Sequence, residues 1–290
     1  GNQNLQISLT VVFTTTYILI VTGNVAIIAL VMVHPHLQMP MYFFLSNLSF
    51  LEIWYTTACV PKAITIFLWK SKTTPFLSCI LQMYFIFALG CTEFFLLTVM
   101  AYDRYLAICY PLRYSTIMSS ARSSQLALGS WVSGFLIISY PTSLMAKMSF
   151  CGSNIINHFY CSPDSLVILS CSDISEFLFI VLIISIIIIL GSCLITVVSY
   201  ICIISTIVRI PSAQGRQKAF STCSAHLIVV IMWYGSNIFL YVRFSTENPL
   251  EINKIVNTLS IIITPLLNPF IYTLRNKEVK KAFWKIFSGT

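Results

Sequence analysis

Long runs of apolar residues, separated by short polar stretches, dominate the chain from one end to the other. A helix needs roughly 20 predominantly apolar residues to cross the hydrocarbon core of a bilayer, and the runs reach that length repeatedly. The pattern predicts an all-α membrane protein, a seven-transmembrane helix bundle that forms one domain over residues 1–290. The predicted spans are residues 8–33, 41–67, 76–109, 121–145, 177–208, 216–243 and 250–273.

The two ends of the chain carry different signals. Residues 276–287 place three apolar side chains at helical spacing and lysines on the other faces, which predicts a short amphipathic helix in the membrane interface. The first apolar run lacks the basic segment and the cleavage site of a signal peptide. We expect this run to act as its own insertion signal, and we expect a short extracellular segment to precede Gly1.

Composition narrows the class of protein, and charge sets its orientation. Of the 290 residues, 57% are hydrophobic and 9% are charged, whereas soluble domains carry about 25% charged residues. Eleven of the 17 lysines and arginines fall on the side of the predicted membrane that holds the C-terminus. The positive-inside rule makes that side cytoplasmic and puts the N-terminus outside. We therefore interpret the net charge of +8 as a signal of membrane topology rather than of nucleic-acid binding. We expect a multi-pass plasma-membrane protein with membrane lipid as a partner.

Four of the ten cysteines lie outside the predicted spans or at the outer end of one. They are Cys79, Cys151, Cys161 and Cys171. An even number of cysteines in an oxidising compartment indicates two disulfides, and four cysteines allow three different pairings. The other six lie in or beneath the membrane, where we expect reduced packing residues.

Two carboxylic acids lie inside the predicted spans, Glu52 in the second and Glu93 in the third. Glu52 is eleven residues from Met41 at the cytoplasmic start of its span, and Glu93 is eleven residues from Arg104 at the cytoplasmic side of its own. Eleven residues rise about 16 Å, which places both acids near mid-membrane. Acids at that depth must face the bundle interior, a partner or water. We expect the pair to share a sodium ion or a proton, or else to form a structural polar cluster with Asn24 and Asn268. We predict no other cofactor and no metal-ligand set.

Two short motifs lie in the cytoplasmic half of the predicted bundle. Asp103 and Arg104 end the third span, where their ion pair could break on a conformational change. Asn268, Pro269 and Tyr272 put a proline inside the seventh span, which favours a kink. Either motif alone is weak, because surface ion pairs and kinked membrane helices are both common.

Together with these motifs, four long strings carry a resemblance to a known family. They are Pro-Met-Tyr-Phe-Phe-Leu-Ser-Asn-Leu-Ser at 40–49, Met-Ala-Tyr-Asp-Arg-Tyr-Leu-Ala-Ile-Cys-Tyr-Pro-Leu at 100–112, Lys-Ala-Phe-Ser-Thr-Cys-Ser-Ala-His-Leu at 218–227 and Pro-Leu-Leu-Asn-Pro-Phe-Ile-Tyr-Thr-Leu-Arg-Asn at 265–276. The chain resembles the rhodopsin-like G-protein-coupled receptors and, within them, the vertebrate odorant (olfactory) receptors of the class II type. The resemblance covers nearly the whole chain.

The resemblance implies a function as well as a fold. It implies a receptor that binds small, mostly hydrophobic, neutral volatile molecules and activates a stimulatory, olfactory-type heterotrimeric G protein, which raises cyclic AMP. It implies the disulfides Cys79–Cys161 and Cys151–Cys171. It also implies that one set of residues serves activation and G-protein coupling: Asp103, Arg104, Tyr105, Tyr200, Asn268, Pro269 and Tyr272.

The chain departs from the family pattern at three places. Gln38-Met39 stands in the first inner loop where members commonly have His-Thr. Glu52 replaces the usual aspartate, which bears on any sodium site carried over from the family. Ser162 follows Cys161 where an acid is usual, so we interpret His158 of the same loop as a satisfied loop histidine rather than a metal ligand.

We expect a ligand pocket on the outer side of the acid layer, where helical spacing directs residues of four spans to a common interior. The predicted lining residues are Ile86, Phe87, Gly90 and Cys91 on the third span, Ile184 and Ile188 on the fifth, Tyr234, Asn237, Ile238 and Tyr241 on the sixth, and Thr258 and Ile261 on the seventh. This lining contains no acid, which favours small neutral ligands over amines. The alternative for any one of these side chains is helix packing.

An enzyme and a transporter are the alternatives to a receptor. The chain contains no nucleophile-elbow, zinc-protease or phosphate-loop motif, and His226 near Cys223 has no acidic orienter in the sequence. We therefore predict that the protein is not an enzyme. Glu52 and Glu93 motivate a proton-coupled transporter or channel, although the two halves of the chain show no internal repeat.

Overall fold

The computed structural model describes residues 3–68, 73–156, 158–242, 261–272 and 279–280. Its helices are α1 (Gln3–Val33), α2 (Pro40–Leu68), α3 (Phe76–Cys109), α4 (Pro111–Ile117), α5 (Ser120–Ala146), α6 (Pro163–Leu169), α7 (Ser175–Val208), α8 (Ala213–Val242) and α9 (Ile261–Tyr272). Within the described ranges, the only β-structure is an isolated bridge between Phe150 and Ser170. The described part of the chain is therefore all-α.

The long helices follow the apolar runs of the sequence. α3 covers the predicted span 76–109, and α2, α5, α7 and α8 begin or end within a few residues of theirs. α1 begins five residues before the predicted start at residue 8. Of the predicted seventh span, residues 250–260 and 273 lie outside the described residues. The predicted interfacial helix lies there too, apart from residues 279–280.

Prolines and one π turn interrupt three of the long helices. Pro61 lies within α2 and Pro141 within α5, and each removes one backbone hydrogen bond from its helix. α7 contains a π turn at Ile186–Leu190 between its two regular halves. Membrane helices tolerate such breaks because neighbouring helices and hydroxyl side chains satisfy the freed backbone groups.

α3 lies at the centre of the helix packing, and α7 lies at its margin. α3 contacts α2, α5, α7 and α8, and 61% of its most apolar stretch is buried, against 11% for α7. The α7 stretch is nevertheless the more apolar of the two, with a mean hydropathy of 3.3 against 1.8. Large apolar side chains such as Phe179 and Ile187 point outward from α7 and are 62% and 65% exposed. A surface of this kind is stable in lipid and not in water.

Length and composition allow four of the described helices to cross a membrane. They are Gln6–Val33, Phe76–Cys109, Ser175–Val208 and Ala213–Phe239. α2 and α5 have similar lengths, 29 and 27 residues, but carry more polar residues. α9 is described over the shorter apolar helix Ile261–Tyr272.

A long loop between α5 and α7 covers the outer end of the bundle. Two disulfides hold it, Cys79–Cys161 to the first turn of α3 and Cys151–Cys171 within the loop, with Cα–Cα distances of 5.4 and 6.0 Å. These are the two pairings that the resemblance implied. Leu166 of α6 packs with the first disulfide in a small buried cluster, so the loop is fixed to α3 both covalently and by apolar contacts.

Candidate functional site

Burial divides the predicted ligand cage into two groups of side chains. The buried members are Ile86, Cys91, Ile188, Tyr234 and Ile261. The others are the half-buried Gly90, Ile184 and Asn237 and the exposed Phe87 and Ile238, at 38% and 41%. Thr258 and the side chain of Tyr241 lie outside the described residues. Contact of these residues with a ligand stays a prediction.

An aromatic cluster that the sequence did not single out joins α2, α3 and α8 beside this cage. The ring of Phe94 lies 5.4 Å from that of Trp233 and 5.3 Å from that of Tyr234, and Tyr55 lies 6.3 Å from Trp233. These centroid distances are in the range of favourable aromatic pairs. The cluster therefore gives the cage a rigid inner wall next to Glu93.

Two polar atoms in this aromatic wall are buried without a hydrogen-bond partner among the described residues. They are the indole nitrogen of Trp233 and the phenol oxygen of Tyr234. Asn237, one turn further along α8, donates its side-chain amide to the Trp233 carbonyl at 2.8 Å. An apolar cage with a few such donors suits a small neutral molecule that carries one oxygen acceptor.

The predicted intramembrane acids are both completely buried. Asn268 of α9 donates a hydrogen bond to one carboxylate oxygen of Glu52. Asn24 donates to the Pro265 carbonyl at 3.3 Å and so ties α1 to α9. Five oxygens here have no hydrogen-bond partner among the described residues: Oε2 of Glu52, both carboxylate oxygens of Glu93, and Oδ1 of Asn24 and Asn268. The structure thus joins Glu52 to Asn268 directly and brings Asn24 to the backbone of α9, and it buries all four predicted polar residues.

A buried ion pair lies near the C-terminal end of α3. Arg104 binds the carboxylate of Asp103 through its Nε at 3.0 Å and also through a terminal nitrogen. The phenol of Tyr114, on α4, donates to the other carboxylate oxygen of Asp103 at 2.7 Å. Burial, and then the nearby Asp103 carboxylate, raise the pKa of Tyr114, so its hydroxyl keeps its proton and remains a donor. Tyr105 points elsewhere, towards the phenol of Tyr110 at 3.4 Å.

His226 of α8 connects three helices near the same end. Its Nε2 lies 3.1 Å from the carbonyl oxygen of Leu97 on α3, and its Nδ1 lies 2.6 Å from the phenol of Tyr200 on α7. A carbonyl only accepts, so Nε2 carries the proton and Nδ1 accepts from Tyr200. Tyr272 of α9 is also fully buried, and its hydroxyl has no partner among the described residues.

α9 approaches α1 closely at the second predicted motif. A Cβ on Gly23 would lie 3.1 Å from the Cβ of Pro269. Glycine at residue 23 therefore lets the proline turn of α9 pack against α1.

In the outer loop, the Tyr160 amide donates to Nδ1 of His158 at 3.4 Å, and the two rings are 4.3 Å apart, which fits a satisfied loop histidine. Within the described residues, no group of three or more histidine, cysteine or acidic side chains forms a metal site.

Comparison with known proteins places the chain in a family. The family model for olfactory receptors matches residues 13–290. Human olfactory receptor 6F1 is 59% identical over 289 residues, which is 100% of this chain and 94% of the relative. Rat olfactory receptor 287 is 55% identical and human olfactory receptor 6X1 is 50% identical, over 100% and 98% of this chain and 93% and 91% of theirs. The chain belongs to the olfactory receptor family.

Membership of this family fixes the coarse properties of the receptor. It is a multi-pass membrane protein with the seven-helix fold of G-protein-coupled receptors, and it is an odorant receptor rather than an enzyme. The prediction from apolar runs and motifs is thus confirmed for family and fold.

Several structurally important residues of the receptor escaped sequence reasoning. From the sequence, His226 is only a weak nucleophile partner, yet in the structure it connects three helices. Tyr114 lies in an ordinary loop of the sequence, and no spacing rule marks it. The only sequence signal for His226 was its place within the string at 218–227.

Proposed function

We propose that the receptor binds small, mostly hydrophobic, neutral volatile molecules in the outer half of the bundle. The support is an apolar and aromatic cage of α3, α7 and α8 residues, with hydrogen-bond donors at Trp233 and Tyr234 and no acid among its predicted members. A neutral ligand gains from burial of its apolar surface at about 25 cal/mol per Å². One hydrogen bond to an oxygen acceptor then orients it.

The receptor passes its signal to a stimulatory, olfactory-type heterotrimeric G protein and raises cyclic AMP. The observation that carries this proposal is the buried Arg104–Asp103 pair, which Tyr114 supports from α4 at the basic end of the bundle. Release of Arg104 from Asp103 gives the cytoplasmic face a free guanidinium when the helices separate. In this orientation the N-terminus is extracellular, the C-terminus is cytoplasmic, and lipid surrounds the outward face of α7.

Energetics limit how potent a small ligand can be. A shift from 1% to 99% active receptor requires a differential affinity of about 5.5 kcal/mol between the two states. Small neutral ligands supply limited binding energy, so we expect potencies in the micromolar range, a total of about 8 kcal/mol. Binding of the G protein must reciprocally tighten agonist binding, because the two equilibria are linked.

The test compares nucleotide exchange with direct ligand binding in the same preparations. A library of volatile compounds, screened with a cyclic-AMP reporter, first supplies an agonist. Arg104→Ala should abolish agonist-stimulated exchange and leave a folded receptor that still binds the agonist. Tyr234→Phe, which removes only the phenol oxygen, should shift potency and retain coupling. Full exchange in Arg104→Ala would refute the coupling mechanism, and an unlabelled N-terminal epitope on intact cells would refute the orientation.

A second proposal concerns Glu52 and Glu93, which we infer to share a sodium ion or a proton. Five buried oxygens without partners among the described residues support it, since oxygen ligands suit a hard cation and two close acids readily share a proton. Glu93→Gln should change basal activity or agonist potency and its dependence on sodium or pH. Glu176→Gln, at an exposed acid on α7, is the control and should change neither.

Two measurements distinguish a shared cation or proton site from a structural cluster and from a transporter. An unchanged dose–response curve of Glu93→Gln at several sodium concentrations and pH values would reduce the acids to packing residues. Ion or proton flux in liposomes that contain the purified protein would instead favour transport.

A further inference from the structure

Gln82 of α3 connects three separate parts of the outer half of the receptor. Its side-chain nitrogen donates to the carbonyl oxygen of Ala58 on α2 at 2.8 Å. Its side-chain oxygen accepts from the backbone amide of Cys161 in the outer loop at 3.1 Å. The orientation of the carboxamide is fixed by its partners, because a carbonyl only accepts and an amide N–H only donates.

The bond to Ala58 falls on a weakened turn of α2. Pro61 has no N–H and its ring crowds the carbonyl of Thr57, so the helix loses a bond at this turn. Ala58 lies in the same turn, three residues before the proline. The amide of Gln82 therefore holds α2 against α3 at the point where α2 itself is least able to resist bending.

The hydrogen bond to Cys161 restricts the orientation of the loop about its disulfide. The disulfide Cys79–Cys161 joins the loop to α3 three residues before Gln82, but one disulfide leaves the loop free to turn about a single point. The hydrogen bond between Gln82 and the Cys161 amide is a second attachment to the same residue. Together, the disulfide and this hydrogen bond orient the two preceding residues, Phe159 and Tyr160.

The α2 turn and the outer loop, which Gln82 contacts, line an apolar crevice. Phe159 and Tyr160 of the loop form one wall, and Cys59 and Val60 of the α2 turn form another. Phe13 of α1 closes the side, with its ring 6.2 Å from that of Phe159. Ile261 of α9, a predicted member of the ligand cage, also lines this crevice. Since Gln82 holds both the α2 turn and the loop, its two hydrogen bonds fix the separation of these walls beside that cage.

We propose that Gln82 is a positioning residue that holds the α2 turn and the outer loop in register, and thereby sets the size of ligand that the receptor accepts. The role of Gln82 in ligand size rests on the proposed function, and its role in holding the α2 turn and the loop does not. Gln82 acts through Ala58 and Cys161 and need not touch a ligand itself.

The first arm of the test uses no odorant. Cys59 is a buried free thiol in the crevice wall, and Cys223 is a buried free thiol on α8. A cysteine thiolate adds to the carbon–carbon double bond of N-ethylmaleimide and forms a thioether. The alkylation rate of each cysteine therefore reports its exposure. Gln82→Met, which has similar size but neither hydrogen bond, should raise the rate at Cys59 at least tenfold and leave the rate at Cys223 unchanged.

Matched variants separate the two bonds from general loosening. Gln82→Glu keeps the acceptor for the Cys161 amide and loses the donor to Ala58, so its rate at Cys59 should lie between those of wild type and Gln82→Met. Leu81→Met changes a neighbouring exposed side chain and should have no effect. An equal rise at Cys59 and Cys223, or no rise at Cys59, would overturn the positioning role.

The second arm measures selectivity in cells with a homologous series of straight-chain aliphatic alcohols and aldehydes. Gln82→Met should change the carbon-chain length of the ligand that has the highest potency. The maximal cyclic-AMP response and the surface expression should stay as in wild type. An unchanged order of potency beside faster alkylation of Cys59 would overturn the role in ligand size. If wild type responds to no member of the series, the proposed function fails for this ligand class, and the alkylation rates still decide the role of Gln82.

Discussion

The phenol oxygen of Tyr200 and Nδ1 of His226 lie 2.6 Å apart and join α7 to α8. The other ring nitrogen of His226 reaches the Leu97 carbonyl of α3. The His226 side chain thus connects α3, α7 and α8, which must move relative to one another under the proposed coupling mechanism. The bond is buried, so its loss is not repaired by water.

We predict that Tyr200→Phe and His226→Phe each lower thermal stability and raise basal nucleotide exchange. Each lost hydrogen bond should cost about 1 kcal/mol, and His226→Phe should cost more because it loses two. The double variant should be less than additive, because both changes break the same bond. Thermal unfolding of purified receptor and basal exchange measure these effects. Ser224→Ala on the same helix is the control, and strict additivity would contradict the link.

Tyr114 should restrain Arg104 through Asp103. Tyr114→Phe removes the donor to Asp103 and leaves the ring in place. Because hydrogen bonds to charged groups contribute about 1.5–3 kcal/mol, and Tyr114 is only half-buried, we expect the lower end of that range and a several-fold rise in basal exchange. Tyr102→Phe, at an exposed tyrosine of α3, is the matched control. Unchanged basal exchange in Tyr114→Phe would show that Asp103 needs no support from α4.

Two glycines of α5 should respond oppositely to the same substitution. A Cβ on Gly134 would overlap the hydroxyl of Thr92 and lie 2.9 Å from the Ala88 carbonyl oxygen, whereas a Cβ on Gly129 would meet nothing within 4 Å. Gly134→Ala should therefore destabilise the receptor by about 1–3 kcal/mol through overpacking against α3. Gly129→Ala should be neutral or stabilise it by up to about 1 kcal/mol through helix propensity. Thermal unfolding decides, and equal effects would contradict this packing.

The two disulfides should differ in their contribution to folding. The residues of Cys79–Cys161 are 82 apart in sequence and those of Cys151–Cys171 are 20 apart. The chain-entropy relation then gives about 4.5 kcal/mol for the first disulfide and about 3.3 kcal/mol for the second. Cys161→Ser should reduce surface expression more than Cys151→Ser, measured on intact cells, and Cys193→Ser at a free cysteine should leave it unchanged. Normal expression of Cys161→Ser would contradict the ranking.

The sequence by itself determined the fold class and the positions of the long helices, and it predicted that the two intramembrane acids lie at one depth. Each of these follows from a one-dimensional quantity: the length of an apolar run, or the rise per residue of a helix. The family strings added the disulfide pairings. None of these conclusions requires knowing which helix faces meet.

Only the tertiary structure decided which side chains touch. On a lipid-facing helix such as α7 both the inner and the outer face are apolar, so periodicity does not mark the face that packs. In the sequence, His226 is therefore an isolated histidine, whereas in the structure it contacts Tyr200 and the Leu97 carbonyl. Gln82 looked like any polar residue near a helix end until Ala58 and Cys161 met it from two other elements. Such contacts join residues far apart in the chain, and only the packing of the helices brings their polar atoms within bonding distance.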